Sequence, residues 1–174
     1  MRFARATAPA LKALAASGRQ LLVTVPVLRQ NLRSLATTVA FAKHLGATRV
    51  QFNFPRPVEL PGRVVTDAVP RLAHAALAVR QAAKVAAQQG VRVTTEAFPL
   101  CVLPEELHGS PDATEDWARH RVDDLHLTHD ALDAVRATQR PEPPPCRGCS
   151  ARERCPKTWA LYLELFGSDE LRPI

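Results

Sequence analysis

Aromatic residues are scarce in this chain: six Phe, two Trp and one Tyr make up 5% of its 174 residues. Alanine, valine and leucine carry the apolar load instead. No apolar run approaches the roughly 20 residues that a membrane-spanning helix needs, which argues against a chain integral to a bilayer. Met1-Arg2-Phe3-Ala4-Arg5 is not followed by an apolar h-region and a cleavage site, so a reducing cytoplasm is the expected setting. The net charge of +6 and pI near 9.7 come from arginines scattered between Arg2 and Arg172 and mixed with acids. Without a basic run or interleaved aromatics, nucleic acid is not the expected partner. A phosphate loop, a nucleophile beside its base and paired catalytic carboxylates are missing as well, and no internal repeat is present.

Cysteine is rare too, and here the rarity is informative. There are four, three of them in the group Cys146-x2-Cys149-x5-Cys155, with Cys101 standing apart. A Cys-x2-Cys pair lets two sulfurs converge from one tight turn, and a third soon after closes that side. Buried free cysteines otherwise behave as small hydrophobes, which is the plain alternative for Cys101 between Leu100 and Val102. The trio lies among Pro143, Pro144, Pro145, Arg147, Gly148, Ser150 and Arg152, a loop-forming setting with no apolar periodicity to bury three thiols. A metal site follows. Zinc suits four cysteines, or three with His108, His120, His126 or His129; an iron-sulfur cluster suits four thiolates, and Cys155-Pro156 repeats the ending of ferredoxin-type ligand runs. Spacing leaves zinc and iron-sulfur open.

The order of elements indicates an α/β fold. A helix over 7–17 ending at Gly18 precedes a buried strand over Gln20–Val27. A helix capped at or near Asn31 closes at Gly46, and a second strand runs over Arg49–Phe54, with Val50, Phe52 and Phe54 alternating with Gln51 and Asn53. A loop to Thr66 or Asp67, a helix over 68–89 with Pro70 in its first turn, and a strand over Val91–Ala97 follow. Strand, helix, strand, helix, strand with short connections means a parallel sheet with right-handed crossovers, whose carboxyl edge carries ligands. Beyond Leu103 the pattern is irregular, with short helices expected over 115–122 and 129–140. The spacer Pro141-Glu142-Pro143-Pro144-Pro145 leads to the cysteine trio, and a closing helix spans 157–166. Two regions are expected, 1–102 and 103–174.

In its whole order the chain resembles the C-terminal part of a radical S-adenosylmethionine (radical SAM) enzyme with an auxiliary iron-sulfur cluster. Leu22 to Leu35, with the run Leu22-Val23-Thr24-Val25-Pro26-Val27-Leu28-Arg29-Gln30-Asn31, is similar to the family's fourth strand and the Asn-bearing start of its next helix. His44-Leu45-Gly46-x3-Val50-Gln51-Phe52-Asn53-Phe54 resembles the fifth strand and its approach, and Gly90-Val91-Arg92-Val93 with Phe98-Pro99-Leu100-Cys101 the sixth strand and its cysteine. The trio followed by Trp159-x2-Tyr162-x3-Phe166-Gly167-x2-Glu170-x2-Pro173-Ile174 resembles the carboxyl-terminal signature.

The resemblance implies a partial parallel (β/α) barrel of about three βα units, half of a (β/α)6 barrel, with a Cys-rich extension. It also implies an auxiliary 4Fe-4S cluster on Cys101, Cys146, Cys149 and Cys155. Asn31, Gln51 and Asn53 would then meet S-adenosylmethionine or substrate, a peptide or small molecule, with Glu96 a further candidate. Two features depart from the family. The Cys-x3-Cys-x2-Cys motif that binds the S-adenosylmethionine-cleaving cluster is absent, so radical chemistry would need a partner half-barrel, or self-association through the open sheet edge. Pro156-Lys157 stands where the family carries a glycine soon after the last cysteine. The alternative from another class is a non-catalytic zinc- or iron-sulfur-binding interaction module.

Overall fold

The β-branched run after Gly18 becomes a strand because such side chains pack well on a pleated surface. The computed structural model describes residues 2–114, 122–123, 128–129 and 132–174. The chain runs α1 (Arg2–Ala16), β1 (Leu22–Pro26), α2 (Leu35–His44), β2 (Arg49–Asn53), β3 (Val58–Leu60), β4 (Arg63–Val65), α3 (Leu72–Gln88) and β5 (Arg92–Glu96). It continues with α4 (Pro111–Thr114), β6 (Val122–Asp123), β7 (Thr128–His129), α5 (Leu132–Gln139) and α6 (Ala160–Phe166). Among the described residues no helix is long and apolar enough to cross a membrane. Two compact units result, Met1–Pro55 with Asp67–Thr95 and Arg56–Thr66 with Glu96–Ile174.

The first, the sheet unit, is α/β around a three-stranded parallel sheet of order β1-β2-β5. Because the order is monotonic, right-handed crossovers bring α2 and α3 to the same face. On that face Val23 lies beside Val50 and Val25 beside Phe52, and Val50 and Phe52 are fully buried. The opposite face carries Thr24 beside Gln51 and Pro26 beside Asn53, all at least partly exposed. The buried face of α3 is Leu72, Ala75, Ala76, Ala78, Val79, Ala82 and Ala86, mostly methyl groups. Gly46 ends the α2 region at φ +93°, and a Cβ there would lie 2.3 Å from the Ala15 Cβ, so α1 packs where only glycine fits.

Several boundaries differ from the sequence expectation, each for a physical reason. Helix α1 begins at Arg2 rather than at residue 7 and carries Pro9 inside it, on an exposed position where water can take up the freed carbonyl. The Asn31 amide does not cap α2: its Oδ1 accepts from Leu28 N at 2.8 Å, and one 3-10 turn, Leu32–Ser34, precedes the helix. Helix α3 starts at Leu72, not Ala68, and Pro70 lies ahead of it. The Arg29 amide donates to Ala68 O at 2.8 Å and the Arg29 guanidinium to Val69 O at 3.0 Å, which holds the preceding segment outside the helix.

The second unit holds all four cysteines and has little regular structure. The stretch expected as a loop contains the β3–β4 hairpin, turned by Pro61-Gly62 with Gly62 at φ +77°. Two-residue strands β6 and β7 pair antiparallel, so His129 lies in a strand and the helix expected from 129 begins at Leu132. The helix expected over 115–122 falls outside the described residues except for Val122, which belongs to β6. Helix α6 begins at Ala160 rather than Lys157, because Lys157 is in the left-handed region at φ +59° and Trp159 is extended.

Candidate metal centre

Two separate segments of the second unit bring the cysteines to one pocket, and a third completes its wall. Its lining includes Cys101, Cys146, Cys149 and Cys155. All four are free thiols of intermediate exposure. Cys101 sits in the middle of the 3-10 turn Leu100–Val102, and Cys146 in the 3-10 turn Pro144–Gly148, whose proline start fixes the local backbone before the thiol. Successive tight turns carry the trio: Cys146 N donates to Pro143 O, Cys149 N to Cys146 O and Cys155 N to Ala151 O, at 2.9, 3.1 and 2.9 Å.

The segments are tied together at the sulfurs themselves. Leu100 N donates to Cys155 Sγ at 3.4 Å, joining the Cys101 turn to the far end of the trio. The Cys149 thiol points to Ile174 O at 3.8 Å, and the same carbonyl accepts from Ser150 N at 2.9 Å and from the Ser150 hydroxyl. Leu171, Arg172 and Pro173 complete the pocket wall.

Electrostatics distinguish Cys101 and Cys146 from ordinary surface cysteines. Burial pushes the Cys146 thiol up to about 11, and Cys155, Cys101, Cys149 and Glu142 push the same way. Cys101 is raised too, first by burial and then by Cys155 and Cys149, against a backbone hydrogen bond from Arg172. Cys101 and Cys146 therefore resist ionisation, and their thiolates here require a positive centre. The charged residues in the lining are Arg152, Lys157 and Arg172, and no carboxylate joins them among the described residues. Glu142 sits outside and holds two of these cations, Arg152 at 2.7 Å and Lys157 at 3.8 Å. Four thiols with a cationic rim are donors of the kind a soft metal or iron-sulfur group needs. Among the described residues no group of three or more Cys, His, Asp and Glu is gathered as one metal ion would need it.

Of the histidines weighed for a Cys3His site, His108 is engaged with backbone carbonyls. His108 Nε2 lies 2.9 Å from Leu100 O and 3.2 Å from Leu103 O. Two carbonyls can only accept, so this nitrogen is the donor and braces the Cys101 turn. His120 and His126 lie outside the described residues. In the sheet unit, Asn31 Nδ2 donates to Pro26 O at 2.8 Å, so both ends of its amide brace the turn after β1. Gln51 Nε2 donates to Asn53 Oδ1 at 3.0 Å along β2.

Residues that spacing could not single out complete the unit. Asp112, 6% exposed, accepts from Ala97 N at 2.6 Å, from Arg140 at 2.9 Å and from Arg136. Ala97 is fully buried and left-handed at φ +60°, a conformation that costs a non-glycine residue about 1–2 kcal/mol. Arg140, 5% exposed, lies 3.6 Å from Glu96 and stacks over Trp159 at 4.2 Å; Arg56 reaches the same ring at 5.9 Å. Burial draws the Arg140 guanidinium below the ordinary arginine value, and Asp112 pushes it back up. The local signals were a Ser110-Pro111-Asp112 helix start and an arginine next to the proline spacer. Neither says that the two meet.

Compared with protein-family models, curated proteins and solved structures, the chain matches none.

Proposed function

We propose that the second unit holds an auxiliary 4Fe-4S cluster through Cys101, Cys146, Cys149 and Cys155, and that the chain is the C-terminal portion of a radical SAM enzyme. The observation that carries this is the pocket lined by every cysteine of the chain, drawn from two segments and rimmed by cations. A single zinc ion needs sulfurs about 2.3 Å from one point. A 4Fe-4S cluster instead spreads four thiolates over the corners of a polynuclear cage. A cluster with four protein ligands supplies electron transfer or structural support rather than an open iron for substrate.

The sheet unit supports the same reading more weakly. Its monotonic strand order, with helices on one face and Thr24, Gln51 and Asn53 on the other, is what an arc of a (β/α) barrel would have, and supports that reading. On this view Gln51 and Asn53 belong to the barrel interior, where S-adenosylmethionine or substrate would be met. Asn31 serves the turn that leads there. The first strands, and the three cysteines that would ligate the S-adenosylmethionine-cleaving cluster, would come from a complementary half-barrel.

Anaerobic reconstitution with ferrous iron and sulfide tests the core of this. A brown chain with about four irons is expected, losing its colour in Cys146→Ala. One zinc per chain and no visible absorbance would instead leave a zinc-binding interaction module.

A further inference from the structure

Ala97 lies four residues before Cys101, and its left-handed backbone sets the direction of the segment that leads to that cysteine. Glycine adopts this conformation readily; alanine must be held there. The holder is visible. Ala97 N donates to Asp112 Oδ2 at 2.6 Å, and the residue is fully buried, so without that carboxylate its N–H would meet no water either.

Asp112 does not act alone. Its two oxygens also accept from Arg140 Nη1, at 2.9 Å to Oδ2 and 3.2 Å to Oδ1, and Oδ1 accepts from Arg136 Nη2. Arg140 directly precedes the proline spacer that ends at Cys146, and its guanidinium covers the ring of Trp159, four residues after Cys155. One buried carboxylate therefore contacts the approach to Cys101 directly and, through Arg140, the approach to Cys146 and the exit from Cys155.

We propose that Asp112 is a positioning residue for the cysteine pocket: by pinning the Ala97 amide and anchoring Arg140, it fixes Cys101 relative to Cys146, Cys149 and Cys155. The proposal rests on these cysteines being ligands, but the pinning itself is a property of the chain and can be read without metal. Removing the carboxylate frees the Ala97 bend, whereas glycine at position 97 keeps the bend by its own preference. A residue needed only for packing would not be compensated in this way.

The test uses the full chain, wild type beside Asp112→Asn, Ala97→Gly and the double variant, each metal-free and each loaded anaerobically with ferrous iron and sulfide. Amide exchange over residues 97–103 of the metal-free chain reads the pinning. Slow exchange at Ala97 in the wild type and faster exchange there and over residues 98–103 in Asp112→Asn are expected, with protection over 98–103 recovered in the double variant, where glycine keeps the bend. For the loaded chain, cluster loss to a chelator should accelerate about tenfold in Asp112→Asn, the range found for groups that orient metal ligands, and return toward wild type in the double variant. Should Asp112→Asn fail to fold, the wild-type exchange rate at Ala97 still decides: a rate typical of open loops overturns the proposal. So does an Asp112→Asn chain that keeps cluster and protection unchanged, or a double variant that recovers neither. If the wild type takes up no iron, the cluster assignment falls, while the exchange data still settle whether Asp112 pins the bend.

Discussion

In the sheet unit the buried positions are almost all aliphatic or aromatic, from Val27, Leu35 and Val39 to Val50, Phe52, Leu72 and Val79, with Thr94 and Thr95 the polar exceptions. The cysteine unit buries Ser110, Asp112, Arg140 and Thr158 beside Phe98, Leu100 and Tyr162. The first has long elements and a hydrogen-bonded ladder; the second has tight turns, prolines and short helices. A continuous apolar face suffices where periodicity lines up side chains. Irregular backbone cannot present such a face. Polar groups then fix the arrangement, and each must find its partner.

The comparison is broken most directly at Arg140. Arg140→Met keeps much of the volume but leaves Asp112 short of a cation in a buried place, and a loss of about 3–5 kcal/mol is expected in chemical denaturation. A neutral result would show that the cysteine unit does not depend on this charged hub. In the sheet unit the equivalent strain is purely steric. Gly46→Ala meets Ala15 at 2.3 Å and a positive φ, so a loss of about 1–3 kcal/mol is expected with helix α1 displaced, seen as raised amide exchange over residues 7–16. Unchanged exchange there would mean that α1 does not need the close approach.

The smallest effect sharpens the contrast from the other side. Lys157 holds φ +59° where a glycine would be at ease, two residues after Cys155. Lys157→Gly should gain about 0.5–1 kcal/mol, the relief of the left-handed backbone less the greater freedom of glycine when unfolded. A loss instead would mean that the side chain, 3.8 Å from Glu142, matters more than its backbone.

These features also mark where sequence patterns stop being informative. The βαβαβ order was legible because β-branched runs such as Leu22-Val23-Thr24-Val25 alternate with helical stretches that end at Gly46 and Gly90. The start of α3 was not, since contacts from Arg29 to Ala68 and Val69, some forty residues away, override a local helix-start pattern. The hairpin at Pro61-Gly62 carried a usable turn signal between apolar pairs that read as loop. At the cysteines, count and spacing singled out four thiols that line one pocket. The pairing of Asp112 with Ala97 and Arg140 is tertiary, and no local pattern encodes it. Lys157 carries no local signal for its φ of +59°, a backbone angle that a lysine does not announce.

The alanine face of α3 has a consequence for how the sheet unit responds to heat. Ala75, Ala76, Ala78, Ala82 and Ala86 have no rotamers to freeze, so ordering them costs backbone freedom alone. Each also buries little area and contributes correspondingly little. Side-chain ordering is a cost that grows with temperature, and this helix is nearly exempt from it. Its packing therefore weakens less on warming than an equal area of leucine or methionine would.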